Sequence, residues 1–493
     1  MSAIHVDGLS FSYTSAVSLF EDISFHLGPG WYGLVGPNGG GKTTLLRLMM
    51  GSLQPDKGTV AIDPRDAVIS FTPQTMDRPD REVFRLAESW QAEDFALRGR
   101  LGLEPTQLDD WELLSPGERK RWQIGAALSM WPDLMLVDEP TNHLDGEARD
   151  LLVTEMARFG GVGVVVSHDR DLLDALTTNT IRVGADGATL HGGSYQVAAE
   201  EWRREEEALL DRAAELRRQE RKLAARVDRR RREIEETSAA QRRKRRAGDS
   251  DARSMGVKMH GAFVEKVKGR ELKTDQRRLE RVGDVRAELG IRRSRGGPIA
   301  IDHTSTRRPL LASYEGLLQI DGRPLVDVGA VEVRADSRIR VAGPNGSGKT
   351  TLLKAIRAST PLSNEEILWL PQELSDEDRE RIVSEITDLS PDERGGIMAL
   401  ASRLGIDPSR LLESDLPSPG EARKLVLAHG LGSGVALAIL DEPTNHLDLP
   451  SIERLEEAID NFNGALLLVS HDPQFVEGLV SETWEISGER LIQ

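Results

Sequence analysis

Two octapeptides define the chemistry open to this chain. Gly36-Pro37-Asn38-Gly39-Gly40-Gly41-Lys42-Thr43 and Gly343-Pro344-Asn345-Gly346-Ser347-Gly348-Lys349-Thr350 both carry the spacing of a phosphate-cradling glycine loop. In such a loop backbone N–H groups surround the phosphates and the lysine reaches the β and γ oxygens. Gly36, Asn38, Gly39, Gly41, Lys42, Thr43 and Thr44 are the candidate nucleotide contacts of the first loop. Gly343, Asn345, Gly346, Gly348, Lys349, Thr350 and Thr351 are those of the second. The hydroxyls of Thr43 and Thr350 are placed to ligate Mg²⁺.

Each loop is followed by the remaining parts of a hydrolytic set at nearly constant offset. Asp138 lies 96 residues after Lys42, and Asp441 lies 92 after Lys349. Both aspartates close an apolar run and precede a glutamate, in Leu134-Met135-Leu136-Val137-Asp138-Glu139 and Leu437-Ala438-Ile439-Leu440-Asp441-Glu442. An aspartate at the end of a buried strand can hold the Mg²⁺ shell, and the adjacent glutamate, Glu139 or Glu442, can polarise an attacking water. His168 and His471, each 30 residues after its aspartate, are candidate γ-phosphate sensors, and Gln74 and Gln372 can complete the metal and water shell.

Such residues need a scaffold that brings strand ends together. Trp31–Val35 reads as a strand feeding the first loop and Thr43–Leu48 as the helix leaving it. Leu134–Val137, Val162–Val166, Arg338–Ala342, Ala436–Leu440 and Ala465–Val469 read as buried parallel strands. The expectation is α/β: two P-loop ATPase domains, 1–200 and 296–493, joined by a linker at 201–295.

The linker differs in kind. Leu209, Ala213, Leu216, Leu223, Val227 and Ile234 recur at heptad-like steps, and neither Gly nor Pro occurs from Ser194 through Ala247. A second run carries Leu272, Leu279, Val282 and Leu289 on one face. This predicts an antiparallel α-helical hairpin turning near 247–261, with a solubilising spacer as the plainer alternative. The chain's net charge is −17, yet Arg203 to Arg295 holds 30 basic and 18 acidic residues, a local +12 that leaves −29 for the remainder. Arg242, Arg243, Lys244, Arg245 and Arg246 near the turn, with Lys258 beyond it, are the candidate RNA-phosphate contacts. A nuclear-import signal or a solvated face would use the same residues. Between Arg203 and Arg295 Phe263 is the only aromatic, so backbone and shape should dominate over base stacking.

Composition narrows the setting. Hydrophobic content of 39% and charged content of 29% suit a globular protein. The chain has no cysteine, excluding disulfides and thiolate metal sites. No apolar run nears the ~20 residues of a membrane span, and the N-terminus lacks a signal-peptide pattern. A cytoplasmic protein is expected.

The loops, Ser115–Glu118 and Ser418–Glu421, the two Asp-Glu-Pro-Thr-Asn-His-Leu-Asp runs and the Ser-His-Asp triplets together resemble ATP-binding cassette proteins. More narrowly, over the whole chain, they resemble the ABC-F family of twin cassettes without a membrane domain. That resemblance implies two ATP molecules sandwiched head to tail within a monomer. One site would pair Lys42, Asp138, Glu139 and His168 with Ser418 and Gly420; the other would pair Lys349, Asp441, Glu442 and His471 with Ser115 and Gly117. It further implies binding at the tRNA exit site of the ribosome, the hairpin reaching toward the peptidyl-transferase centre, ribosomal RNA and P-site tRNA. Members act as translation factors or dislodge antibiotics.

The chain departs from the family pattern in places. Pro116 and Pro419 replace a signature glycine, and Pro417 replaces a leucine, so γ-phosphate contacts there are expected to differ. Tyr13 can stack on adenine in the first cassette, whereas Leu317 to Val333 offers no aromatic, so unequal sites are expected. About 40 residues separate Gln74 from Ser115, too few for an inserted arm, and 22 follow His471, leaving no C-terminal extension. Both shortenings favour antibiotic resistance by ribosome protection. The competing readings are an importer's fused ATPase subunit, which would have a short linker, and a DNA-clamping protein.

Overall fold

The computed structural model describes residues 2–14, 17–76, 78–141, 144, 146–184, 187–246, 267, 270–285, 308–320, 323–406 and 416–493. Two compact units divide the chain, Met1–Ala198 with Pro298–Gln493, and Ala199–Gly297.

In the first unit the apolar runs become strands of two sheets that share one strand order. The amino-terminal sheet runs Ile69–Thr72, Leu134–Asp138, Val162–Val166, Gly30–Val35, Asn179–Gly184, Gly187–Gly192, parallel throughout except for the last pairing. The carboxy-terminal sheet repeats it as Ile367–Leu370, Leu437–Asp441, Ala465–Val469, Arg338–Ala342, Glu482–Ser487, Arg490–Ile492, again antiparallel only at the end. The internal repeat of the sequence is therefore a structural repeat.

The strands Leu134–Asp138, Val162–Val166, Leu437–Asp441 and Ala465–Val469 are buried along their whole length. Continuous apolar runs are what a parallel strand covered on both faces requires. Each such Leu, Ile or Val contributes about 1.5–3 kcal/mol relative to exposure, which pins the strand ends. Asp138, Asp441, Ser167 and Ser470 sit at those ends, on the carboxyl edge where α/β sheets bind ligands.

The two halves differ in their antiparallel strands. Ala3–Thr14, Val17–Leu27 and Lys57–Asp63 form a separate three-stranded sheet. In the second half Leu310–Ile320 and Arg323–Arg334 instead extend the main sheet, through the pairing of Asp327 with Arg490.

The second unit is built on a helix that begins at Tyr195 and ends at Arg246, 52 residues or about 78 Å at the α-helical rise. A second helix covers 270–285. Of the heptad residues, Ala213, Leu216 and Val227 are buried, Leu223, Ile234, Leu272, Leu279 and Val282 are half-buried, and Leu209 is exposed. Arg230 ties the two helices together, 3.5 Å from Glu271 and 3.1 Å from the buried Asp275. The expected turn at 247–261, Lys258 and Leu289 lie outside the described residues. Among those described, no helix is long and apolar enough to cross a membrane.

Candidate functional site

The strand Gly30–Val35 delivers the chain into the first glycine loop, and the helix Lys42–Met49 carries it away. Gly41, the residue capping that helix, has φ 101°, and a Cβ there would lie 2.8 Å from Phe20 Cζ. Gly348 repeats the arrangement with φ 101° and Leu325 Cδ2 at 2.6 Å. Only glycine meets both demands. The helix N-terminus thus closes on the loop, the geometry that binds phosphate. Lys42 is buried and donates to Gly36 O at 2.9 Å, Pro37 O at 3.2 Å and Asn38 Oδ1 at 3.5 Å. Lys349 donates to Gly343 O at 2.8 Å and Pro344 O at 3.0 Å.

The hydroxyl of Thr43 donates to Asp138 Oδ2 at 3.0 Å, and that of Thr350 to Asp441 Oδ2 at 2.7 Å. Burial raises the pKa of both aspartates, against the opposing pull of those hydroxyls and nearby cations. Glu139 and Glu442 follow at φ 49° and 48°, left-handed conformations costly for a residue with a Cβ. Their N–H groups are held by Val166 O and Val469 O, each at 2.9 Å. Burial pushes both glutamates up to about 8.

Each glutamate faces the expected histidine. His168 Nε2 stands 3.3 Å from Glu139 Oε1, and His471 Nε2 stands 3.6 Å from Glu442 Oε1. Burial, with Lys42 nearby, lowers His168 to about 3. With the carboxyl raised and the imidazole lowered, this pair is neutral around pH 7 rather than an ion pair. His471 also lies 3.2 Å from Asn345 Oδ1.

One crevice of about 1240 Å³ collects the candidates of both halves. It is lined from the first by Tyr13, Asn38, Lys42, Thr43, Gln74, Asp138, Glu139 and His168, with Ser418 and Gly420. It also holds Asn345, Lys349, Thr350, Gln372, Asp441, Glu442 and His471, with Ser115. Gly117 lies in the first turn of the helix Pro116–Ser129. The first loop meets the second cassette directly. Asn38 N–H donates to Asp448 Oδ2 at 2.8 Å, and Asn38 Nδ2 donates to His446 O at 3.0 Å. A Cβ on Gly420 would sit 2.7 Å from His446 O and 3.9 Å from Asn38 Nδ2. Further along, Gln474 donates to Asp171 at 2.8 Å, two residues equally placed after their histidines, and Arg170 forms a two-pronged pair with Glu456.

Ser115 and Ser418 cap their helices through capping boxes with Glu118 and Glu421. Pro116 and Pro419 occupy the first helical position, where a missing N–H leaves no helical bond unmade. Tyr13, 62% exposed, bonds Thr44 Oγ1 at 3.0 Å. Thr14 pairs with Val17 and Ile320 with Arg323 as the last pairs of the two equivalent strand pairs, so Gln319 stands where the first cassette has Tyr13.

Four further residues belong to this site. Asp448 and His446 lie inside the quoted Asp-Glu-Pro-Thr-Asn-His-Leu-Asp run, but nothing in the run shows that they cross to the other half. Lys120 and Arg423 are buried, each five residues after a signature serine. Lys120 Nζ donates to Pro73 O and Gln74 O, both at 2.9 Å. Arg423 donates to Pro371 O, Gln372 O, Asp441 O and Glu442 O at 2.6–3.2 Å. Their basic neighbours Arg119, Arg121 and Lys424 hide the matching place of these two cations in the sequence. Arg242, Arg243, Lys244, Arg245 and Arg246 close the long helix.

A protein family described as ABC transporter matches residues 20–142 and 327–445. The chain is 30% identical to the tylosin resistance ATP-binding protein TlrC of Streptomyces fradiae, covering 96% of this chain and 95% of that one. It is 28% identical to the ribosome protection protein VmlR of Bacillus subtilis, over 93% and 82% respectively. Among solved structures, the RNase-L Inhibitor superposes with a TM-score of 0.62 at 18% identity, covering 99% of this chain and 90% of that one, a likeness of fold.

Proposed function

The chain belongs to the ABC-F family of ATP-binding cassette ATPases, and from that premise we propose that it binds the 70S ribosome and protects it from antibiotics. It is an ATP-hydrolysing enzyme. In our reading, ATP draws the cassettes together, the protein seats at the tRNA exit site, and the basic hairpin points toward the peptidyl-transferase centre. There Arg242–Arg246 and Lys258 neutralise phosphates of ribosomal RNA and P-site tRNA. The observation that carries this reading is one basic helical insert between two acidic cassettes whose ATP-site residues share a crevice. The names of TlrC and VmlR support the resistance role. A cytoplasmic location follows from that partner.

Within each site, Lys42 or Lys349 turns from its loop carbonyls to the γ-phosphate, and Glu139 or Glu442 accepts the proton of the attacking water. Pushed up to about 8, the carboxyl is mostly protonated at pH 7, and it is the ionised fraction that accepts the water's proton, with a basicity suited to transfer near neutral pH. His168 and His471 orient the reacting phosphate. Ser418 and Gly420 close the first site, Ser115 and Gly117 the second.

A divalent ion fits the hard-oxygen set of Thr43, Asp138 and Gln74, and of Thr350, Asp441 and Gln372. One carboxylate per site suits Mg²⁺, which retains waters and relies on substrate phosphates. When bound, Mg²⁺ neutralises phosphoryl charge.

The test is co-sedimentation with ribosomes. Glu139→Gln combined with Glu442→Gln should bind ATP, fail to hydrolyse it and remain on ribosomes. Absence of that variant from the ribosome pellet in ATP refutes the reading. Growth on a panel of ribosome-targeting antibiotics, with and without expression, tests the resistance role.

A further inference from the structure

The helix Pro419–Gly432 serves both ATP sites. Its capping end brings Ser418 and Gly420 into the crevice beside Asn38 of the first cassette. One turn later, Arg423, 1% exposed, reaches back into its own cassette and donates to four carbonyls. Two belong to Pro371 and Gln372 at the glutamine loop. The other two, Asp441 O at 3.1 Å and Glu442 O at 2.6 Å, flank the left-handed backbone of Glu442.

That backbone is the weak point of the site. A glutamate at φ 48° persists only where its surroundings over-determine it. Its N–H is held by Val469 O and its C=O by Arg423, so the peptide groups on both sides are fixed. A guanidinium suits this task because its donors form a rigid planar fork. Lysine, with a single nitrogen, cannot span the same set. In the first cassette Lys120 donates only to Pro73 O and Gln74 O, yet Glu139 holds the same φ of 49°. What Arg423 adds is therefore a tie between the glutamate's peptide and Pro371–Gln372 rather than the conformation itself.

We propose that Arg423 is a positioning residue that locks Glu442 to the glutamine loop, and that Lys120, which holds only Pro73 O and Gln74 O, leaves Glu139 without that tie. The two sites then differ in turnover, the Glu442 site being the faster. This inference rests on Glu139 and Glu442 activating water.

Steady-state ATPase kinetics on the full chain test it. Glu139→Gln leaves only the Glu442 site working. In that background Arg423→Lys lowers kcat at least about tenfold, as misplacement of a catalytic group does, with KM changed less than about twofold. Arg423→Met lowers kcat further. In the converse Glu442→Gln background, Lys120→Arg supplies the missing donors and raises kcat at least about threefold, a gain that a damaged fold cannot mimic. Thermal melts of each variant accompany the kinetics. A kcat for Arg423→Lys within twofold of its parent, a change confined to KM, or no gain from Lys120→Arg overturns the proposal. Residual hydrolysis by the Glu139→Gln, Glu442→Gln double variant removes the glutamate assignment and this inference with it. If that double variant is inert while Arg423→Lys matches its parent, this inference alone falls.

Discussion

Asp448, in the second cassette, accepts the backbone N–H of Asn38 in the first cassette's glycine loop at 2.8 Å. The same carboxylate caps its own helix, accepting from Ser451 N at 3.0 Å. Burial alone would raise its pKa, but Lys424 and these hydrogen bonds outweigh it and hold the group below its ordinary value. It therefore stays charged, and its bond to the loop is charge-assisted, worth about 1.5–3 kcal/mol.

Asp448→Asn keeps a capping oxygen and loses the charge. It should reduce ATPase activity about tenfold, the equivalent of ~1.4 kcal/mol, with little change in Tm. Asp448→Ala also removes the cap, typically about 1 kcal/mol, and should lower Tm by about 1–2 °C. Paired ATPase assays and thermal melts separate the two effects.

Stability should fall as pH rises from about 6.5 to 8 when melts are run without nucleotide. Glu139 and Glu442 sit at about 8 in the folded chain against ~4.3 for an exposed glutamate. Between those values the folded state holds more protons than the unfolded one, so stability declines with pH, by at most about 1.4 kcal/mol per unit per group. His168, lowered to about 3, acts oppositely but only below its unfolded value of ~6.5. The Glu139→Gln, Glu442→Gln double variant should flatten the decline. An unchanged slope would refute this assignment of the protons.

Tyr13 makes the first site chemically distinct, since Gln319 occupies the equivalent place in the second. Tyr13→Ala should weaken ATP binding at the first site about fivefold, in line with the ~1 kcal/mol of an aromatic contact. Fluorescent-nucleotide titration of the non-hydrolysing double variant should lose its tighter phase.

Replacing Arg242, Arg243, Lys244, Arg245 and Arg246 by glutamine should weaken ribosome binding and make it less salt-sensitive. Each lost phosphate contact removes ~0.7–0.9 from the slope of log K against log salt. Binding measured over a potassium chloride series gives that slope directly. Equal slopes for parent and variant would place the RNA contacts elsewhere.

Much of the architecture was legible because its signals are local. Val162–Val166 and Ala465–Val469 are continuous apolar runs of strand length, and they fold as strands with those bounds. Thr43 and Asp138 could be paired from sequence because a glycine loop and an acid-terminated strand fix where each must lie. Lys120 and Arg423 were not legible as parts of the site. Their partners are backbone carbonyls, which any residue supplies and no motif records. Nor could the run holding His446 and Asp448 show that it touches Asn38, about 400 residues away in sequence, a contact that needs both cassettes folded.

Ser115 and Ser418 already share their hydroxyls with Glu118 and Glu421, at 2.8 and 2.6 Å. In the closed sites proposed above, a γ-phosphate arriving at either serine displaces an existing carboxylate partner, so closing the cleft trades one bond for another. Such a swap gains little free energy, and a clasp that grips weakly can let go after every turnover.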